Sequence, residues 1–407
     1  MPRRVVITGV GVVCALGGDV PALAAGLVDG RCAIGPLTLF PYRGRCRSAA
    51  QVPEAVPAAV AALPLATTRR LSRPDRFALA AAAEACGAAG LDAGLRRRAA
   101  LAVGATTGGM FETEEVYRRR RAGEERRFRL SRLLGTPLST TAAAVSQALG
   151  FYGPQVTLST ACSSSALAVA LAADSIRRGE ARVALALGTD GLCRLTYAGF
   201  DALQALDLDR CRPFDRHRRG LSLGEGAAAL VLEDAEHARA RGARAHAALL
   251  GHGTATDAHH PTAPHPEGRG ALAALRAALA AAGLPPEAID YVNAHGTGTP
   301  QNDAMEVGVL RAVFGSRLAR VPLSSTKSQV GHCLGAAGAI EAAVTVVALD
   351  EGIVPPTVGL REPDPAWADL DLVRTPGRRV PLGAALTSSY GFGGHNVTLV
   401  LGRAEGR

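Results

Sequence analysis

Short apolar runs alternate with alanine-rich segments along the 407-residue chain, and this alternation is the strongest constraint on its fold. The runs are apolar without interruption, which is typical of strands covered on both faces. The alanine-rich segments are long enough to form helices. Strands that alternate with helices predict a largely parallel α/β architecture. We expect strands at 5–8, 100–103, 156–158, 183–187, 227–232, 291–293, 321–324, 385–387 and 397–401, and helices at 78–89, 165–178, 270–282 and 336–349.

Two stretches of the chain resemble each other. STACSSSALAVALAADSIRRGE occupies 159–180, and SQVGHCLGAAGAIEAAVTVVALDEG occupies 328–352. Each begins with small and polar residues, presents a Cys or a His, and continues as an apolar helix towards a Gly. Internal similarity of this kind indicates repeated structural units. The sequence therefore predicts two related halves, 1–250 and 251–407.

Composition and charge narrow the class of protein. Hydrophobic residues make up 48% of the chain and charged residues 20%, which excludes a disordered chain. The formal net charge is +9, which bears on partners rather than on fold. The basic residues show neither aromatic interleaving nor the spacing of DNA-binding motifs, so we expect no nucleic-acid partner, and an acidic protein fits as well. Alternatively, Arg simply replaces Lys throughout, since the chain has one Lys, at 327.

The cysteines and the N-terminus predict a reducing, cytoplasmic location. None of the eight cysteines forms a C-x-x-C pair, so neither a disulfide framework nor a zinc site is expected. The N-terminal MPRRVVITGVGVVCALGG superficially resembles a signal peptide, but its glycine-broken, β-branched run is typical of a strand followed by a turn. No run reaches the roughly 18 apolar residues of a membrane span. A charged segment between Phe111 and Leu138, containing YRRRRAGEERRFRLSR, is predicted to be an exposed insertion.

Cys162 follows the predicted strand 156–158 and precedes a predicted helix. A helix N-terminus favours negative charge, so we expect it to lower the pKa of this thiol, and the thiolate is the nucleophilic form. The exposed N–H groups of the helix start could also stabilise an oxyanion. A buried structural cysteine is the alternative if Cys162 is considered alone.

Two histidines follow predicted strands in glycine-rich loops, where open α/β sheets build their sites. His295 lies in YVNAHGTGTPQND and His332 in LSSTKSQVGHCLGAAG. Neutral imidazoles can donate to or accept from a reacting thioester. Lys327 precedes His332 by five residues, and a lone Lys in an arginine-rich chain indicates a site where Arg would not serve. Glu306 is a candidate ion-pair partner for it, whereas a surface location for Lys327 is the alternative.

The segment SSYGFGGHNVTLVL at 388–401 has glycines around Phe392 and then enters a strand. Glycine permits backbone conformations that other residues resist, so a backbone N–H could point into a site or Phe392 could move as a gate. An ordinary tight turn is the alternative interpretation.

These motifs together resemble the β-ketoacyl-[acyl-carrier-protein] synthases, especially the condensing enzyme II type. The specific parts are TACSSSA, AHGTGT, KSQVGHCLGAAG and GFGG, in the order of that family, and the similarity runs from VVITGVGVV to GGHNVTLVL. The resemblance implies a thiolase-like, five-layered α-β-α-β-α fold with two pseudo-repeated halves. It implies decarboxylative Claisen condensation of an acyl chain with malonyl-carrier protein, without metal or redox cofactor.

The resemblance also implies roles for individual residues. Cys162 matches the acylated nucleophile, and His295 and His332 match the pair that drives decarboxylation. Lys327 and Glu306 match a supporting ion pair. Phe392 matches the gating residue, and its backbone N–H forms the oxyanion hole together with the N–H of Cys162. Thr297 and Thr299 match the residues that hold the phosphopantetheine arm. Phe200 matches a residue that lines the acyl tunnel.

Partners follow from the same resemblance. The family acts on acidic acyl carrier proteins, for which Arg69, Arg70, Arg73 and the arginine-rich insertion are docking candidates. The family dimerises, either with itself or with a chain-length factor. GFGG is followed by His395, where many relatives have Thr. The segments GTDGLCRLTYAGF and CRPFDRHRRGLSLGEGAAALVLE resemble those of ketosynthases of aryl-polyene and highly reducing type II polyketide pathways. A housekeeping role in fatty-acid synthesis is therefore in doubt.

Other classes of protein remain as alternatives. A chain-length factor would share the fold but normally lacks the nucleophile, and a thiolase would carry a second cysteine near its C-terminus. A dinucleotide-binding protein is weakly indicated by TGVGVV at 8–13, where the third glycine of the fingerprint is missing. A pure binding module would leave Cys162 unexplained. A metal hydrolase would use the group Asp257, His259, His260 and His265.

Overall fold

The computed structural model describes residues 3–53, 71–124 and 133–404. The strands are β1 (Val5–Val13), β2 (Ile34–Pro36), β3 (Ser48–Ala50), β4 (Ala100–Gly104), β5 (Gln155–Leu158), β6 (Val183–Asp190), β7 (Gly226–Asp234), β8 (Ala247–Thr256), β9 (Tyr291–Asn293), β10 (Leu323–Ser324), β11 (Ile353–Val354), β12 (Arg378–Arg379), β13 (Ala384–Gly391) and β14 (His395–Arg403). The α-helices are α1 (Val20–Val28), α2 (Arg73–Ala88), α3 (Ala93–Arg98), α4 (Met110–Arg121), α5 (Ser139–Leu149), α6 (Ser164–Arg177), α7 (Arg194–Ala202), α8 (Ala235–Ala240), α9 (Arg269–Ala282), α10 (Pro300–Phe314), α11 (Lys327–Val330) and α12 (Ala337–Glu351). Short 3-10 turns lie at Pro286–Ala288, Gly315–Arg320, Leu334–Ala336 and Pro365–Trp367.

Ten of the described strands form one sheet in the order β10-β9-β13-β14-β8-β1-β7-β6-β4-β5. On one side of the β8–β1 junction, β5, β4 and β6 are parallel, whereas β7 and β1 are antiparallel to their neighbours. On the other side, β10, β9 and β13 are parallel, and β14 and β8 are antiparallel to theirs. The two sets of five strands therefore repeat one topology in the same chain order, joined by the short β1–β8 ladder.

The two halves of the sheet form two layers, and helices lie between them and on their outer faces. Helices α6 and α12 contact each other and strands from both halves, so they form the central layer. Helix α2 covers the outer face of β1 and β7, and α9 covers that of β8 and β14. From Ala337 to Leu349 every residue of α12 is buried, as expected of a helix that is apolar on all sides apart from Glu341 and Thr345. This α-β-α-β-α arrangement confirms the predicted thiolase-like fold.

Glycines in the two junction strands allow the outer helices to approach closely. A Cβ atom on Gly9 or Gly11 of β1 would overlap backbone atoms of α2, and one on Gly251 or Gly253 of β8 would overlap backbone atoms of α9. Paired glycines that let a helix approach the sheet closely thus occur at corresponding positions in both halves. Their presence also explains why β8 was missed by the sequence analysis, since glycine usually indicates a turn.

Most predicted strands and helices are confirmed, with ends that differ by a few residues. The N-terminal apolar run is the nine-residue strand β1, as predicted. None of the helices in the described part of the chain has the length and apolar character that crossing a bilayer requires. The predicted division at residue 250 lies inside β8 and stays a prediction.

The charged segment at 111–138 is only partly a free insertion. It includes most of α4, whose residues 118–121 are exposed as predicted, whereas 125–132 lie outside the described residues. The start of α4 is tied to its neighbours, because Glu114 accepts hydrogen bonds from the backbone N–H groups of Arg194 and Leu195 at the start of α7. Glu112 likewise accepts from the backbone N–H of Arg73 at the start of α2.

Candidate active site

Cys162 lies in the turn between β5 and α6, two residues before the helix begins. The residue before it, Ala161, has φ +52°, a left-handed conformation that is unusual outside glycine. Serine side chains hold the turn, since Ser163 Oγ donates to the carbonyl of Thr160 at 2.8 Å and Ser164 Oγ donates to that of Ala161 at 2.6 Å. The cysteine is thereby fixed at the helix start, with 6% of its surface exposed.

Burial, not the helix start, dominates the acidity of this thiol. Burial raises the pKa of Cys162 to about 11, although the charge of Lys327 and the backbone N–H of Phe392 act in the opposite direction. The prediction of a lowered pKa was wrong, because the sequence gives no measure of how completely the thiol is removed from water. At neutral pH Cys162 is a thiol.

His295 and His332 lie beside each other, after β9 and after α11. Their ring centroids are 5.4 Å apart and their planes are nearly perpendicular. Nδ1 of His295 accepts a hydrogen bond from Nζ of Lys327 at 3.2 Å, and Nδ1 of His332 accepts one from the backbone N–H of Leu334 at 3.2 Å. Because both Nδ1 atoms act as acceptors, we assign the ring proton of each neutral imidazole to Nε2.

The protein keeps both imidazoles neutral. Burial and the nearby charge of Lys327 hold the pKa values of His295 and His332 well below 6.5. Each ring is 2% exposed. Two neutral rings with paired Nδ1 atoms therefore offer two Nε2–H donors in a site largely closed to water.

Lys327 forms its ion pair with Glu341, not with Glu306. Its Nζ donates to Oε1 of Glu341, and both side chains are almost completely buried. Burial raises the pKa of Glu341 to about 7, and Lys327 opposes that rise. The predicted pairing with Glu306 was wrong. The sequence signal that could have identified Glu341 is its place as a carboxylate within the otherwise apolar helix AGAIEAAVTVVAL.

Glu306 anchors the His295 loop instead. From α10, its carboxylate accepts hydrogen bonds from the backbone N–H groups of His295 at 2.7 Å and Gly296 at 2.8 Å. Burial raises the pKa of Glu306 to about 8, and the two backbone donors oppose this. Glu306 thus fixes the backbone that carries His295, whereas Lys327 fixes its ring.

Asp190, at the end of β6, is a residue that the sequence analysis missed. Its buried carboxylate accepts from the backbone N–H groups of Thr106 and Thr107 at the end of β4. It also accepts from Gly335 N at 2.6 Å, three residues after His332. Asp190 therefore connects the half that carries Cys162 to the loop that carries His332.

One cavity of about 410 Å³ brings the predicted site residues together. It is lined by Cys162, Phe200, His295, Thr297, Thr299, His332 and Phe392, among others. The rings of Phe200 and Phe392 stack with centroids 5.5 Å apart, and the hydroxyls of Thr297 and Thr299 are 2.9 Å apart. Of the predicted site residues, only Lys327 and Glu306 lie behind the cavity wall rather than on it.

The glycine-rich turn brings its backbone against the cysteine. A Cβ atom on Gly391 would lie 2.5 Å from the carbonyl oxygen of Thr160 and 3.3 Å from the backbone N of Cys162, so no larger residue fits without a shift. This close approach places the N–H of Phe392 near enough to the thiol to lower its pKa. The Phe392 and Cys162 N–H groups thus both face the sulfur.

The residues of the candidate metal site, Asp257, His259, His260 and His265, make other contacts. Asp257 accepts hydrogen bonds from the backbone N–H of His265 at 3.1 Å and from the side-chain amide of Asn396 at 2.9 Å. His259 packs its ring against that of His265, with His260 further along the same loop. Among residues 3–53, 71–124 and 133–404, no group of three or more His, Cys, Asp or Glu side chains is arranged to hold a metal ion.

The arginines predicted to dock the carrier protein were Arg69, Arg70 and Arg73. Arg69 and Arg70 lie outside the described residues. Arg73 is engaged internally, since its Nε donates to Oε2 of the buried Glu225 at 2.8 Å and its guanidinium carbon lies 5.0 Å from the centroid of the Phe77 ring. Its side chain is only 20% exposed, so Arg73 is a structural residue rather than a docking residue.

Comparison with known proteins agrees with this geometry. Residues 2–238 match the model of the β-ketoacyl synthase N-terminal domain, and residues 246–361 match that of the C-terminal domain. Nodulation protein E of Rhizobium meliloti is 41% identical over 407 residues, covering 98% of this chain and 99% of that protein. The 3-oxoacyl-[acyl-carrier-protein] synthase 2 of Coxiella burnetii is 36% identical over 411 residues, covering 98% and 99%.

A solved structure described as the ishigamide ketosynthase/chain length factor superimposes with a TM-score of 0.93 at 35% identity, covering 99% of this chain and 100% of that one. The fold and the site define an acyltransferase of the ketosynthase class. The chain belongs to the β-ketoacyl synthase family, of the type that serves fatty-acid and polyketide synthesis. Membership of this family argues against the two alternative classes, a dinucleotide-binding protein and a metal hydrolase.

Proposed function

We propose that this protein joins a Cys162-bound acyl chain to malonyl-acyl carrier protein by decarboxylative Claisen condensation. The observation that carries the proposal is the meeting of one buried thiol and two neutral imidazoles at a single cavity. The retained cysteine favours a catalytic subunit over a chain-length factor.

In the first half-reaction, Sγ of Cys162 attacks the carbonyl carbon of an acyl thioester. A C–S bond to Cys162 forms, the C–S bond to the carrier breaks, and the cysteine proton leaves with the carrier thiol. Negative charge develops on the carbonyl oxygen during this step. The backbone N–H groups of Cys162 and Phe392 stabilise it, and a donor of this kind typically contributes about 3–4 kcal/mol.

In the second half-reaction, the malonyl thioester oxygen accepts hydrogen bonds from Nε2–H of His295 and of His332. The electrons of the C–CO2 bond pass into an enolate as CO2 leaves. The enolate carbon then attacks the acyl carbonyl on Cys162, a C–C bond forms and the C–S bond to Cys162 breaks. The cysteine leaves as a thiolate that takes a proton from water. Neutral donors suit this step, because they stabilise an oxyanion without delivering a full proton to the carbon.

Lys327 and Glu341 are positioning residues in this proposal. The ammonium of Lys327 cannot accept a hydrogen bond, so it keeps Nδ1 of His295 as an acceptor and directs Nε2–H into the cavity. Glu341 neutralises that ammonium inside the protein. The condensation takes up one proton from water, which returns the Cys162 thiolate to the thiol, and it needs no oxidant or reductant. We therefore propose no cofactor beyond the phosphopantetheine carried by the acyl carrier protein.

We further propose an acidic acyl carrier protein as the partner, with Thr297 and Thr299 holding its arm. The net charge of +9 supports an acidic partner.

A homodimer, or a heterodimer with a chain-length factor, completes the assembly. Among the described strands, β5 stands at the end of the sheet with one edge unpaired, near Val156 at 40% and Tyr152 at 71% exposure, and such an edge favours pairing with another chain. A ketosynthase paired with a chain-length factor is the subject of the similar structure described above.

A cytoplasmic location is the last part of the proposal. All eight cysteines are free, as expected in a reducing compartment.

The experiment that tests this function supplies purified protein with an acyl-carrier protein and malonyl-carrier protein. We expect release of CO2 together with a 3-ketoacyl product two carbons longer, detected on the carrier by mass spectrometry. His332→Ala should abolish most of the product. Absence of product with a panel of acyl donors, both alone and with a co-purified chain-length factor, would refute the proposal.

A further inference from the structure

The segment 209–220 is rich in arginine, and its Arg219 lines the cavity. Each arginine in it except Arg219 has a carboxylate within ion-pair distance. The pairs are Arg210 with Asp209 at 3.7 Å, Arg212 with Asp207 at 4.0 Å, Arg216 with Glu362 at 3.1 Å and Arg218 with Asp364 at 2.8 Å. Within the described residues, Arg219 has no side-chain hydrogen bond, ion pair or ring contact, and it is exposed. Its charge is therefore available to a ligand.

Arg219 and its neighbour Arg218 have different surroundings. The neighbouring Arg218 is held on the protein side, where its guanidinium carbon lies 4.4 Å from the centroid of the Trp367 ring. Arg219 instead lines the cavity. The carbonyl oxygen of the next residue, Gly220, lies against Gly298, the residue between the two threonines, since a Cβ atom on Gly298 would lie only 2.8 Å from it. Arg219 thus lies beside the predicted path of the phosphopantetheine arm.

Exposure increases from the reacting groups to Arg219. Cys162 and the two histidines are buried, Thr297 is buried at 5%, Thr299 is half-buried, and Arg219 is exposed. A phosphopantetheine arm carries its thioester at one end and a phosphodiester at the other. If the thioester lies at Cys162 and the arm passes the threonines, the phosphodiester reaches the mouth of the cavity.

Arg219 is the cationic side chain among the described residues that line the cavity. Among the described lining residues the acidic side chain is Asp257, and its oxygens accept hydrogen bonds from His265, Gly270 and Asn396. Both catalytic histidines are neutral. An anion at the mouth therefore meets Arg219 as its principal counter-charge.

We propose that Arg219 binds the phosphate group of the phosphopantetheine arm and so selects phosphorylated thioester donors over shorter, uncharged ones. This inference rests on the proposed function and adds a residue that recognises the donor. A guanidinium suits the task, because two of its N–H groups can donate to two phosphate oxygens. The interaction is made equally before and during the reaction, so it lowers KM rather than raising kcat.

The test measures binding without catalysis. Ligand-observed NMR titrations compare 4′-phosphopantetheine with pantetheine, which lacks the phosphate, against the wild type, Arg219→Gln, Arg219→Lys and Arg216→Gln. Arg216 is the matched control, because it lies three residues away and pairs with Glu362. We expect the wild type and Arg216→Gln to bind the phosphorylated compound about tenfold more tightly, Arg219→Lys to keep part of that preference, and Arg219→Gln to lose it.

A preference that survives in Arg219→Gln, or no preference in the wild type, would overturn the inference. Either result would leave the proposed condensation untouched, because that is measured separately with carrier-bound substrates. Kinetics of Cys162 acylation provide a second check. Arg219→Gln should raise KM for a phosphopantetheine thioester about tenfold and leave KM for the pantetheine thioester unchanged, with kcat similar for both.

Discussion

Nζ of Lys327 lies 3.2 Å from Nδ1 of His295 and, at the same time, forms a buried ion pair with Glu341. Lys327 is the single lysine of the chain and is 1% exposed. A buried ammonium without a counter-ion would carry a large desolvation cost, so Glu341 is needed to keep the charge in place. The charge in turn fixes which nitrogen of His295 faces the substrate.

The first prediction concerns this ion pair. Glu341→Gln should destabilise the fold by about 3–5 kcal/mol, because it leaves an uncompensated buried charge. Urea unfolding measures the change. Glu351→Gln, at the exposed end of the same helix, is the control and should change stability by less than about 0.5 kcal/mol. Equal stability of the two variants would show that Lys327 does not depend on Glu341.

The second prediction separates the two half-reactions. His332→Ala should leave acylation of Cys162 from an acyl-carrier protein within a few fold of the wild-type rate. Condensation should fall by about 10²–10³, the usual effect of removing one oxyanion donor. Intact-protein mass spectrometry follows the first step and CO2 release the second. Equal losses in both steps would indicate that the variant disturbs the whole site.

The third prediction concerns the pH below which the rate of malonyl decarboxylation falls, because protonation of the two histidines sets that pH. Burial holds the pKa values of His295 and His332 well below 6.5, so both rings stay neutral through the ordinary range. Malonyl decarboxylation should therefore keep its rate as the pH falls through 6.5 and decline only at lower pH. A decline centred at pH 6.5 would contradict it.

The same shifts predict how stability changes with pH. The unfolded chain binds protons at these histidines near pH 6.5, whereas the folded protein does not. Their contribution to stability is thus complete above pH 6.5 and decreases as the pH falls below that value. Urea midpoints measured from pH 8 to pH 5 should decrease below pH 6.5, and His332→Ala should show a shallower decrease than the wild type.

The fourth prediction concerns the nucleophile. Burial raises the pKa of Cys162 to about 11, so only a small fraction is thiolate at neutral pH. The rate of alkylation by iodoacetamide should increase with pH up to about pH 11. Peptide mapping assigns the rate to Cys162. A rate that reaches its plateau near pH 8 would show that the helix start lowers the thiol pKa after all.

The fifth prediction tests the close approach of helix and sheet. Gly253→Ala should destabilise the protein by about 1–3 kcal/mol, because the added Cβ would overlap the backbone of α9. Gly308→Ala, in an exposed position of α10 with open space around it, should stabilise by about 0.5–1 kcal/mol. Thermal and urea unfolding of the two variants should move in opposite directions.

Much of this fold could be predicted, because its strands are continuous apolar runs. The run at 291–293 matches β9 residue for residue, and the helices predicted at 165–178 and 270–282 match α6 and α9 within one residue. Strand β8 was missed because Gly251 and Gly253 resemble turn residues. Only the packed structure shows that these glycines make room for a helix backbone.

The site was predicted less completely than the fold. The motifs located Cys162, His295 and His332 on one cavity, since strand ends and helix starts gather at one place in such a sheet. They could not show that Glu306 faces the backbone of the His295 loop whereas Glu341 reaches Lys327, because this depends on how two helices pack. The acidity of Cys162 was misjudged for a similar reason, since burial is a property of the folded protein.

The central claim is that Cys162 carries the acyl chain, and intact-protein mass spectrometry after incubation with a panel of acyl-carrier proteins tests it most directly. We predict that the wild type gains the mass of one acyl group, that Cys162→Ala gains none, and that Cys193→Ala, which alters another buried thiol, still gains it. A mass gain that persists in Cys162→Ala would contradict the assignment of the nucleophile.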